Sequence, residues 1–250
     1  MIVSGRILVV GDVHGCLDEL DELLRVAEHR PGRDRLVLVG DLVDRGPDPV
    51  GVVRRARGLG AEAVLGNHEE RHLRYRRHEL RRAREPGYAN PMRAFEEGRL
   101  AQHQALSSDD WRWLEALPAW LRLPGGWLVV HAGFEPRRAL ADQKTPVIVR
   151  IRDVDDRGKF VAGEDPRERV PGSVPWATRW RGPESVVYGH HVHGFQAPRI
   201  DRPAPDVECW GIDTGCVFGG RLTALVLPER EVIQVPARRE YVSYDRAELD

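Results

Sequence analysis

Five short apolar runs, each followed at once by a polar segment that contains glycine, form the main pattern of this chain. They cover residues 7–10, 36–39, 63–65, 128–130 and 186–188. Uninterrupted apolar runs of this length are typical of strands buried on both faces, and in open α/β sheets ligands collect beyond the carboxyl ends of such strands. The pattern therefore predicts five polar loops that converge on one edge of a sheet.

Helices are predicted between the first three strands. The first covers roughly residues 16–29 and ends at Pro31-Gly32. Its apolar face repeats at helical spacing and consists of Leu17, Leu20, Leu23, Leu24 and Ala27. The second begins near Pro47 and reaches about Gly58. This alternation predicts an α/β fold with parallel strands joined by crossover helices.

The remainder of the chain divides less regularly. Residues 69–120 read as a helical insertion, interrupted at 86–91 and resumed at the capping cluster 107–110. Further strands are predicted at 121–123, 127–130, 185–188, near 207–212, at 222–227 and at 231–235. We interpret residues 134–184 as a loop with short helical pieces that covers the site. The stretch 237–250 is expected to be peripheral, and residues 1–250 to form a single domain.

Composition excludes several classes of function. The 250 residues are 41% hydrophobic and 31% charged with a net charge of -1, so no overall field favours a membrane or a stable nucleic-acid partner. No apolar stretch approaches the roughly 20 residues that span a bilayer, and the first predicted strand leaves no room for a signal peptide. Three cysteines, Cys16, Cys209 and Cys216, lack metal-site spacing and predict a reduced, cytoplasmic protein. The sequence gives no indication of oligomeric state.

The five polar segments carry mixed nitrogen and oxygen donors. They are GDVHG (11–15), GDLVDRG (40–46), GNHE (66–69), HAG (131–133) and GHH (189–191). Their candidate metal ligands are Asp12, His14, Asp41, Asn67, His131 and His190. One Asp-x-His after a strand has an ordinary structural explanation, a helix cap beside a buried histidine. Five such elements in this order predict a two-metal centre, which needs a bridging carboxylate and terminal donors.

Together these segments resemble the calcineurin-like metallophosphoesterases of the phosphoprotein-phosphatase superfamily. The C-terminal third, in residues 176–182, 186–190 and 212–225, is similar to the bacterial bis(5'-nucleosyl)-tetraphosphatases. The similarity covers roughly residues 6–85 and 120–236 and is poor over 134–174. It implies a β-sandwich of mixed sheets flanked by helices, with a helical insertion after the third motif.

The resemblance also implies a ligand set. Asp12, His14 and Asp41 would hold one ion, whereas Asp41, Asn67, His131 and His190 would hold the other, with Asp41 as the bridge. Two divalent ions bring four positive charges and this set returns two negative ones, which leaves charge to attract hydroxide and phosphate. The resemblance indicates Mn²⁺ as the usual activator, although nitrogen and oxygen donors also suit Fe, Zn or Co.

Three further residues are candidates for catalysis. By resemblance His68 is a general acid that Asp44 orients. Arg45 offers a planar fork to phosphoryl oxygens. The ordinary alternatives are a surface histidine for His68 and an exposed salt bridge for Arg45. The implied reaction is in-line attack on phosphorus by a metal-bound hydroxide, without a covalent intermediate.

Several residues are candidates for contact with the substrate. Arg45 and Asn67 are candidates, and so are His191 and His193, because GHHVHG departs from the Gly-His-Thr-Pro of many relatives. Residues 71–84 contain seven arginines, which form either a solvated helix face paired with glutamates or a cationic wall for a polyphosphate. Asp213 is expected to be structural.

The seven tryptophans raise the possibility of base stacking. Trp111, Trp113 and Trp120 fall at helical or helix-end spacing and are predicted to be core residues. Trp176, Trp180 and Trp210 lie in the C-terminal stretch and are the better candidates for stacking on a base.

Three functions follow from these observations. The first is hydrolysis of dinucleoside polyphosphates such as diadenosine tetraphosphate. The alternative is a broad phosphomonoesterase that acts on phosphoserine or phosphothreonine proteins or on polynucleotide ends, and a phosphoprotein is then the partner. The third, a scaffold without activity, should have lost ligands, and none of the motif positions is lost here.

Overall fold

The structure, a computed structural model, describes residues 5–163 and 169–244. Residues 164–168 and 245–250, parts of the predicted covering loop and of the peripheral stretch, lie outside the described residues. The strands of the described part are β1 (Ile7–Val10), β2 (Arg35–Leu38), β3 (Glu62–Ala63), β4 (Trp120–Leu123), β5 (Trp127–Val130), β6 (Asp153–Val154), β7 (Phe160–Val161), β8 (Val174–Pro175), β9 (Ser185–Tyr188), β10 (Arg199–Ala204), β11 (Val207–Gly211), β12 (Arg221–Leu227) and β13 (Glu231–Pro236).

Two five-stranded mixed sheets form the centre of the fold. The first has the order β13-β12-β1-β2-β3, in which β1, β2 and β3 are parallel and β12 runs antiparallel to β1. The second has the order β10-β11-β9-β5-β4, with β5, β9 and β11 parallel and β4 and β10 antiparallel at the edges. The expected mixed sheets are therefore confirmed.

Alternate residues of β1 enter different cores. Leu8 and Val10 pack under the helices, whereas Ile7 and Val9 pack with residues of the second sheet. Since strand side chains alternate between faces, β1 is buried on both sides, and this explains its uninterrupted apolar run. The two sheets consequently form a sandwich with helices on the outer face of the first.

Helices occupy the predicted positions. They are α1 (Leu17–Val26), α2 (Pro49–Gly58), α3 (Asn67–Arg84), α4 (Glu97–Ala105), α5 (Ser108–Glu115) and α6 (Thr145–Ile148). The first two are the crossover helices, and α3 to α5 form the helical insertion. Within the described residues we find no helix with both the length and the apolar character that a bilayer crossing requires.

The segment between β5 and β9 contains more than the predicted short helices. Besides α6 and two 3₁₀ turns, it forms a small sheet of order β7-β6-β8. Each of these strands has two residues, which is too short for any alternation of apolar and polar positions to register. The interpretation as a loop with helical pieces was therefore incomplete.

Candidate metal centre

The Asp41 carboxylate lies at the middle of the predicted site. Its Oδ2 atom is 3.4 Å from His14 Nε2 and 3.4 Å from His131 Nε2, and all three side chains are buried. His14, Asp41 and His190 have φ angles of 42°, 50° and 69°, a left-handed conformation that residues with a Cβ rarely adopt. Backbone strain of this kind concentrates at functional sites.

Hydrogen bonds at the outer side of each ring fix the two imidazoles. His14 Nδ1 donates to the Val43 carbonyl and His131 Nδ1 donates to the Val39 carbonyl, both at 2.9 Å. When each ring is neutral, with its proton on Nδ1, the lone pair of Nε2 is directed towards the Asp41 carboxylate. Acceptor atoms that face one another need a proton or a cation between them, and this set of nitrogen and oxygen donors fits metal ions.

The other predicted ligands surround a second position. Asn67 Oδ1 lies 2.8 Å from His131 Nε2 and 2.9 Å from His190 Nδ1. Ligand atoms of Asp41, His131 and His190 lie within 4.8 Å of one another, and the same holds for His14, Asp41 and His68. The two donor clusters therefore share Asp41, as predicted for a bridging carboxylate, but the cluster with His14 contains His68 in the place predicted for Asp12.

Asp12 is placed differently from the other predicted ligands. Its carboxylate accepts the backbone N–H of His190, at 3.0 and 3.2 Å from the two oxygens, and it belongs to neither cluster of described donors. Burial, followed by the charges of Asp213 and Asp41, raises the pKa of Asp12 well above its usual range. Three carboxylates, those of Asp12, Asp41 and Asp213, are buried together, and ionising all three requires added positive charge.

The pKa values of three other groups are shifted by burial and by charges within the site. Burial alone would raise the pKa of Asp41, but the neighbouring His131 and His68 hold it well below its usual range. Burial opposes a charge on His131, yet Asp41 raises the pKa of that ring. Burial and Arg45 keep the pKa of His14 well below its usual range, so this ring is neutral and able to coordinate.

Arg45 already places a positive charge on one donor. Its Nη1 donates to His14 Nε2 at 2.9 Å, and its guanidinium lies 5.2 Å from the centre of the Phe218 ring. A guanidinium nitrogen here stands in for a cation at the lone pair of His14. Arg45 is thus part of the site rather than of an exposed salt bridge.

His68 and Asp44 form the predicted pair. His68, the second residue of α3, is buried, and its Nδ1 donates to Asp44 Oδ2 at 2.6 Å. Its Nε2 lies 3.9 Å from Asp41 Oδ2 and lines the cleft. Burial lowers the pKa of His68, although Asp41 opposes that effect. The surface-histidine alternative does not apply.

Two buried carboxylates of the site were given no chemical role by the sequence. Glu69 accepts the backbone N–H groups of Asp41, Leu42 and Val43, and burial raises its pKa to about 7. Asp213 lines the cleft and accepts the Gly215 N–H at 2.9 Å, and burial raises its pKa to about 6. The Glu of GNHE was the available signal for Glu69.

Of the proposed substrate residues, His191 and His193 lie to one side. Their rings are 4.5 Å apart, and His193 Nε2 lies 3.3 Å from the Tyr188 hydroxyl. Burial lowers the pKa of His193 to about 3. Neither ring is among the described residues that line the cleft.

The tryptophans proposed to stack on a base are wrong candidates. Trp176, Trp180 and Trp210 are 2%, 4% and 5% exposed. Each indole N–H is already bonded, to the Ala132 carbonyl, the Glu184 carbonyl and the Glu208 carboxylate respectively. These side chains fill the core, which is the usual position of large apolar groups.

A cleft of about 290 Å³ lies over the metal centre. Asp41, Asn67, His68 and His190 line it together with arginines and an apolar wall; the arginines are Arg45, Arg150 and Arg152, and the wall includes Phe160, Val161, Val192 and Phe218. The chemistry of the lining suits a ligand with both anionic and apolar parts.

A second groove of about 410 Å³ shares Asn67, His68 and Arg150 with this cleft. Its other lining residues include three arginines: Arg71, Arg74 and Arg93. The arginines of residues 71–84 fit both predicted alternatives, a helix face paired with glutamates and a cationic wall. Arg76 and Arg81 pair with glutamates, Arg71 lines the groove, and Arg74 both pairs with Glu70 and lines the groove.

Comparison with known proteins agrees with the fold and the site. The family model described as calcineurin-like phosphoesterase matches residues 5–219, and the chain belongs to that family of metal-dependent hydrolases. It is 32% identical to the asymmetrical bis(5'-nucleosyl)-tetraphosphatase PrpE of Halalkalibacterium halodurans, over 94% of this chain and 95% of that protein. The symmetrical bis(5'-nucleosyl)-tetraphosphatase of Aromatoleum aromaticum is 30% identical over 95% and 99%. A solved structure provisionally described as a diadenosine tetraphosphatase superposes with a TM-score of 0.76 at 35% identity, covering 94% and 95%.

Proposed function

We propose that this enzyme hydrolyses dinucleoside tetraphosphates, of which diadenosine tetraphosphate is the simplest example. The proposal rests on one observation: the cleft and the second groove adjoin each other at the metal centre. One combines arginines with an apolar wall, and the other is lined by arginines, with His68 and Arg150 shared between them. An elongated polyanion with a ring system at its end matches this chemistry, and curated relatives at about 30% identity are named for such substrates.

Two divalent ions are proposed as cofactors, and Mn²⁺ is the ion we expect to activate the enzyme. His14 and Asp41 would hold one ion with Asp12, whereas Asp41, Asn67, His131 and His190 would hold the other. Ions bound there would lower the pKa of water and withdraw charge from phosphoryl oxygens. For Asp12, binding requires its carboxylate to contact the ion as well as the His190 N–H.

The side chains of the protein have separate tasks in this proposal. Arg45 and Arg150 bind non-bridging phosphoryl oxygens, for which the planar guanidinium fork is suited. His68 donates a proton from Nε2 to the oxygen of the leaving group, and Asp44 keeps Nδ1 protonated and the ring oriented. The lowered pKa makes protonated His68 a stronger acid, and a bound polyphosphate would favour the protonated form.

Two features support a cytoplasmic location and a small-molecule substrate. All three cysteines are free and buried, which suits the reducing cytoplasm. The apolar wall beside the metal centre, formed by Phe160, Val161 and Val192, suits a nucleoside more closely than an extended phosphopeptide backbone. We therefore propose a cytoplasmic enzyme with a small-molecule substrate.

The test compares diadenosine tetraphosphate with a phosphoserine peptide in the presence of Mn²⁺. Products are separated by chromatography for the wild type, Asp41→Asn and His68→Ala, and bound metal is measured for each. We expect the wild type to prefer the tetraphosphate, Asp41→Asn to lose metal and activity, and His68→Ala to keep its metal while losing most activity. A strong preference for the peptide would refute the substrate, and full turnover by Asp41→Asn would refute the bridge. His78→Ala, on α3 but bonded to Tyr88, is the matched control.

A further inference from the structure

A line of hydrogen bonds leads away from His68 through the helical insertion. Beyond Asp44, His72 Nε2 lies 3.0 Å from Asp44 Oδ1, and His72 Nδ1 lies 3.1 Å from His103 Nδ1. His103 Nε2 then lies 3.0 Å from Glu79 Oε2. His72 and His103 are 0% and 5% exposed, whereas the Glu79 side chain at the end of the line is half-buried.

The two histidines come from different helices. His68, His72 and Glu79 are spaced by four and seven residues and therefore lie on one face of α3. His103 belongs to α4, which also contributes Arg99 to Asp44. These hydrogen bonds thus connect α3, α4 and the loop after β2 behind the metal centre.

The Asp44 carboxylate acts only as an acceptor in this arrangement. Its Oδ2 accepts from His68, and its Oδ1 accepts from His72, from Arg99 Nε at 3.0 Å and from the Gln102 side-chain amide. Two hydrogen bonds, from His68 and His72, lower the pKa of Asp44 well below its usual range against the effect of burial. An ionised carboxylate cannot donate, so His72 must carry a proton on Nε2.

The hydrogen bonds of His72 and His103 require more ring protons than two neutral imidazoles carry. An ionised Glu79 accepts from His103, so His103 also carries a proton on Nε2. The contact between the two Nδ1 atoms needs one proton more, because two lone pairs at 3.1 Å repel each other. The two rings therefore hold three ring protons, whereas two neutral imidazoles hold two.

We propose that His72 and His103 share one extra proton as an imidazole–imidazolium pair, and that this pair positions Asp44 and thereby His68. The inference rests on the proposed function for its catalytic consequence, but the proton count stands apart from it. The positive charge lies between two carboxylates, those of Asp44 and Glu79. His72 and His103 are positioning residues, since they act on the substrate only through Asp44.

The surroundings of the pair agree with one shared charge. From α3 the pair faces Glu79 and Arg76, and from the loop after β2 it faces Asp44. Arg99 and Gln102 of α4 bond the same Asp44 oxygen as His72. The rings around the pair are Tyr75, Phe95 and Trp111. Burial, followed by the charge of His72, lowers the pKa of His103. Within the pair the extra proton lies between the two Nδ1 atoms, which are 3.1 Å apart.

Loss of the extra proton has a structural consequence. The two Nδ1 lone pairs would then face each other, and the contact between α3 and α4 would open. Asp44 Oδ1 would keep the hydrogen bonds from His72 and Arg99 but lose the positive charge of the pair, and the hold of Asp44 on His68 would weaken. Turnover should therefore fall at alkaline pH while substrate affinity changes little, because the pair lies behind Asp44 and does not line the described cleft.

Nitrogen-15 spectra of the imidazole rings test the proton count directly. The full-length protein is loaded with Zn²⁺, which is diamagnetic, and His72 and His103 are assigned with His72→Gln and His103→Phe. At pH 7 we expect three ring protons on the pair, with both nitrogens of one ring protonated. Two ring protons would place the missing proton on Glu79 and overturn the proposal. This measurement needs no substrate, so it can fail or succeed independently of the proposed function.

Kinetics test the positioning role. His103→Phe keeps an aromatic ring beside Tyr75 and Trp111 but removes both nitrogens, and we expect about a tenfold lower kcat, a KM within about twofold, unchanged bound metal and a shifted alkaline limb of kcat. His72→Gln keeps an N–H donor for Asp44 and should retain more activity than His72→Leu. His78→Gln is the control on the same helix. A pH profile of His103→Phe that superimposes on the wild type, or equal activity of His72→Gln and His72→Leu, would overturn the role.

Discussion

The Glu69 carboxylate accepts the backbone N–H of Asp41 at 2.8 Å, and both side chains are buried beneath the metal centre. The same carboxylate also accepts the N–H groups of Leu42 and Gly66. One acidic side chain of α3 thus holds the loops after β2 and β3 in a fixed relation. Asp41 keeps its strained φ of 50° because these bonds compensate for the strain.

Replacing Glu69 by Gln should therefore weaken metal binding without removing a ligand. The amide offers one acceptor oxygen where the carboxylate offers two, so at least one loop N–H loses its partner. We expect about a tenfold loss of Mn²⁺ affinity, the lower end of the range for residues that support metal ligands. Titration with Mn²⁺ measures it, and Glu85→Gln, at the end of the same helix, is the control. Unchanged affinity in Glu69→Gln would contradict this account of the loop.

Gly189 allows Asp12 to approach the backbone of His190. A Cβ at position 189 would overlap Asp12 Oδ1 and press on Val39. We expect Gly189→Ala to displace the Asp12 carboxylate and to lower both bound metal and turnover by about tenfold or more. Gly194→Ala in the same loop meets nothing nearer than the Ala197 carbonyl at 4.0 Å and should behave as the wild type. Equal metal content in the two variants would show that Asp12 is not a ligand.

The part of the site that the sequence predicts is the part that depends on strand ends. Asp41 and His131 follow uninterrupted apolar runs, and parallel strands bring their carboxyl ends to one edge. The His72–His103 contact joins residues 31 positions apart on two helices, and no local pattern encodes the packing of α3 against α4. The role of Glu69 could not be predicted either, because a glutamate in a motif looks the same in the sequence whether it binds a metal ion or backbone N–H groups.

Arg150 should distinguish a polyphosphate from a single phosphate. It lines both the cleft and the second groove and forms an ion pair with Glu70. A charge-assisted hydrogen bond contributes about 1.5–3 kcal/mol, so Arg150→Ala should raise KM for diadenosine tetraphosphate by about tenfold or more. KM for p-nitrophenyl phosphate, which ends at one phosphate, should change by less than about twofold. Arg77→Ala, exposed on α3, is the control. Equal changes for the two substrates would remove Arg150 from the polyphosphate path.

Trp176 should matter for stability and not for substrate affinity. Its indole N–H donates to the Ala132 carbonyl at 2.9 Å, one residue from the predicted ligand His131. Phenylalanine fills most of the space but leaves that buried carbonyl without its donor, at a cost of about 1–3 kcal/mol. We expect Trp176→Phe to unfold at lower urea concentration with an unchanged KM for diadenosine tetraphosphate. A raised KM with unchanged stability would restore the base-stacking interpretation.

Asp110, in the first turn of α5, provides a pH-dependent contribution to stability. It closes the capping box of α5 with Ser107, accepting that residue's N–H at 2.9 Å, and it pairs with Arg57 at 3.3 Å. Burial alone would raise the pKa of Asp110, but the bonds from Ser107 and the charges of Arg57 and Arg54 lower it. Because the pKa of Asp110 is lower in the folded state than the unfolded-state pKa of about 3.9, its ionised carboxylate stabilises the fold at any pH above about 3.9. This contribution is lost as the pH falls through the folded-state pKa.

Asp110→Asn should therefore destabilise the protein at pH 7 by about 1 kcal/mol, as expected for loss of a capping side chain. The difference from the wild type should shrink as the pH falls from about 4 towards 3, because protonation then removes the same charge from the wild type. Urea unfolding at pH 7, 5 and 3 measures it. Asp109→Asn, exposed in the same turn, should change stability by less than about 0.5 kcal/mol. A difference for Asp110→Asn that stays constant across this range would mean that the lost charge is not the cause.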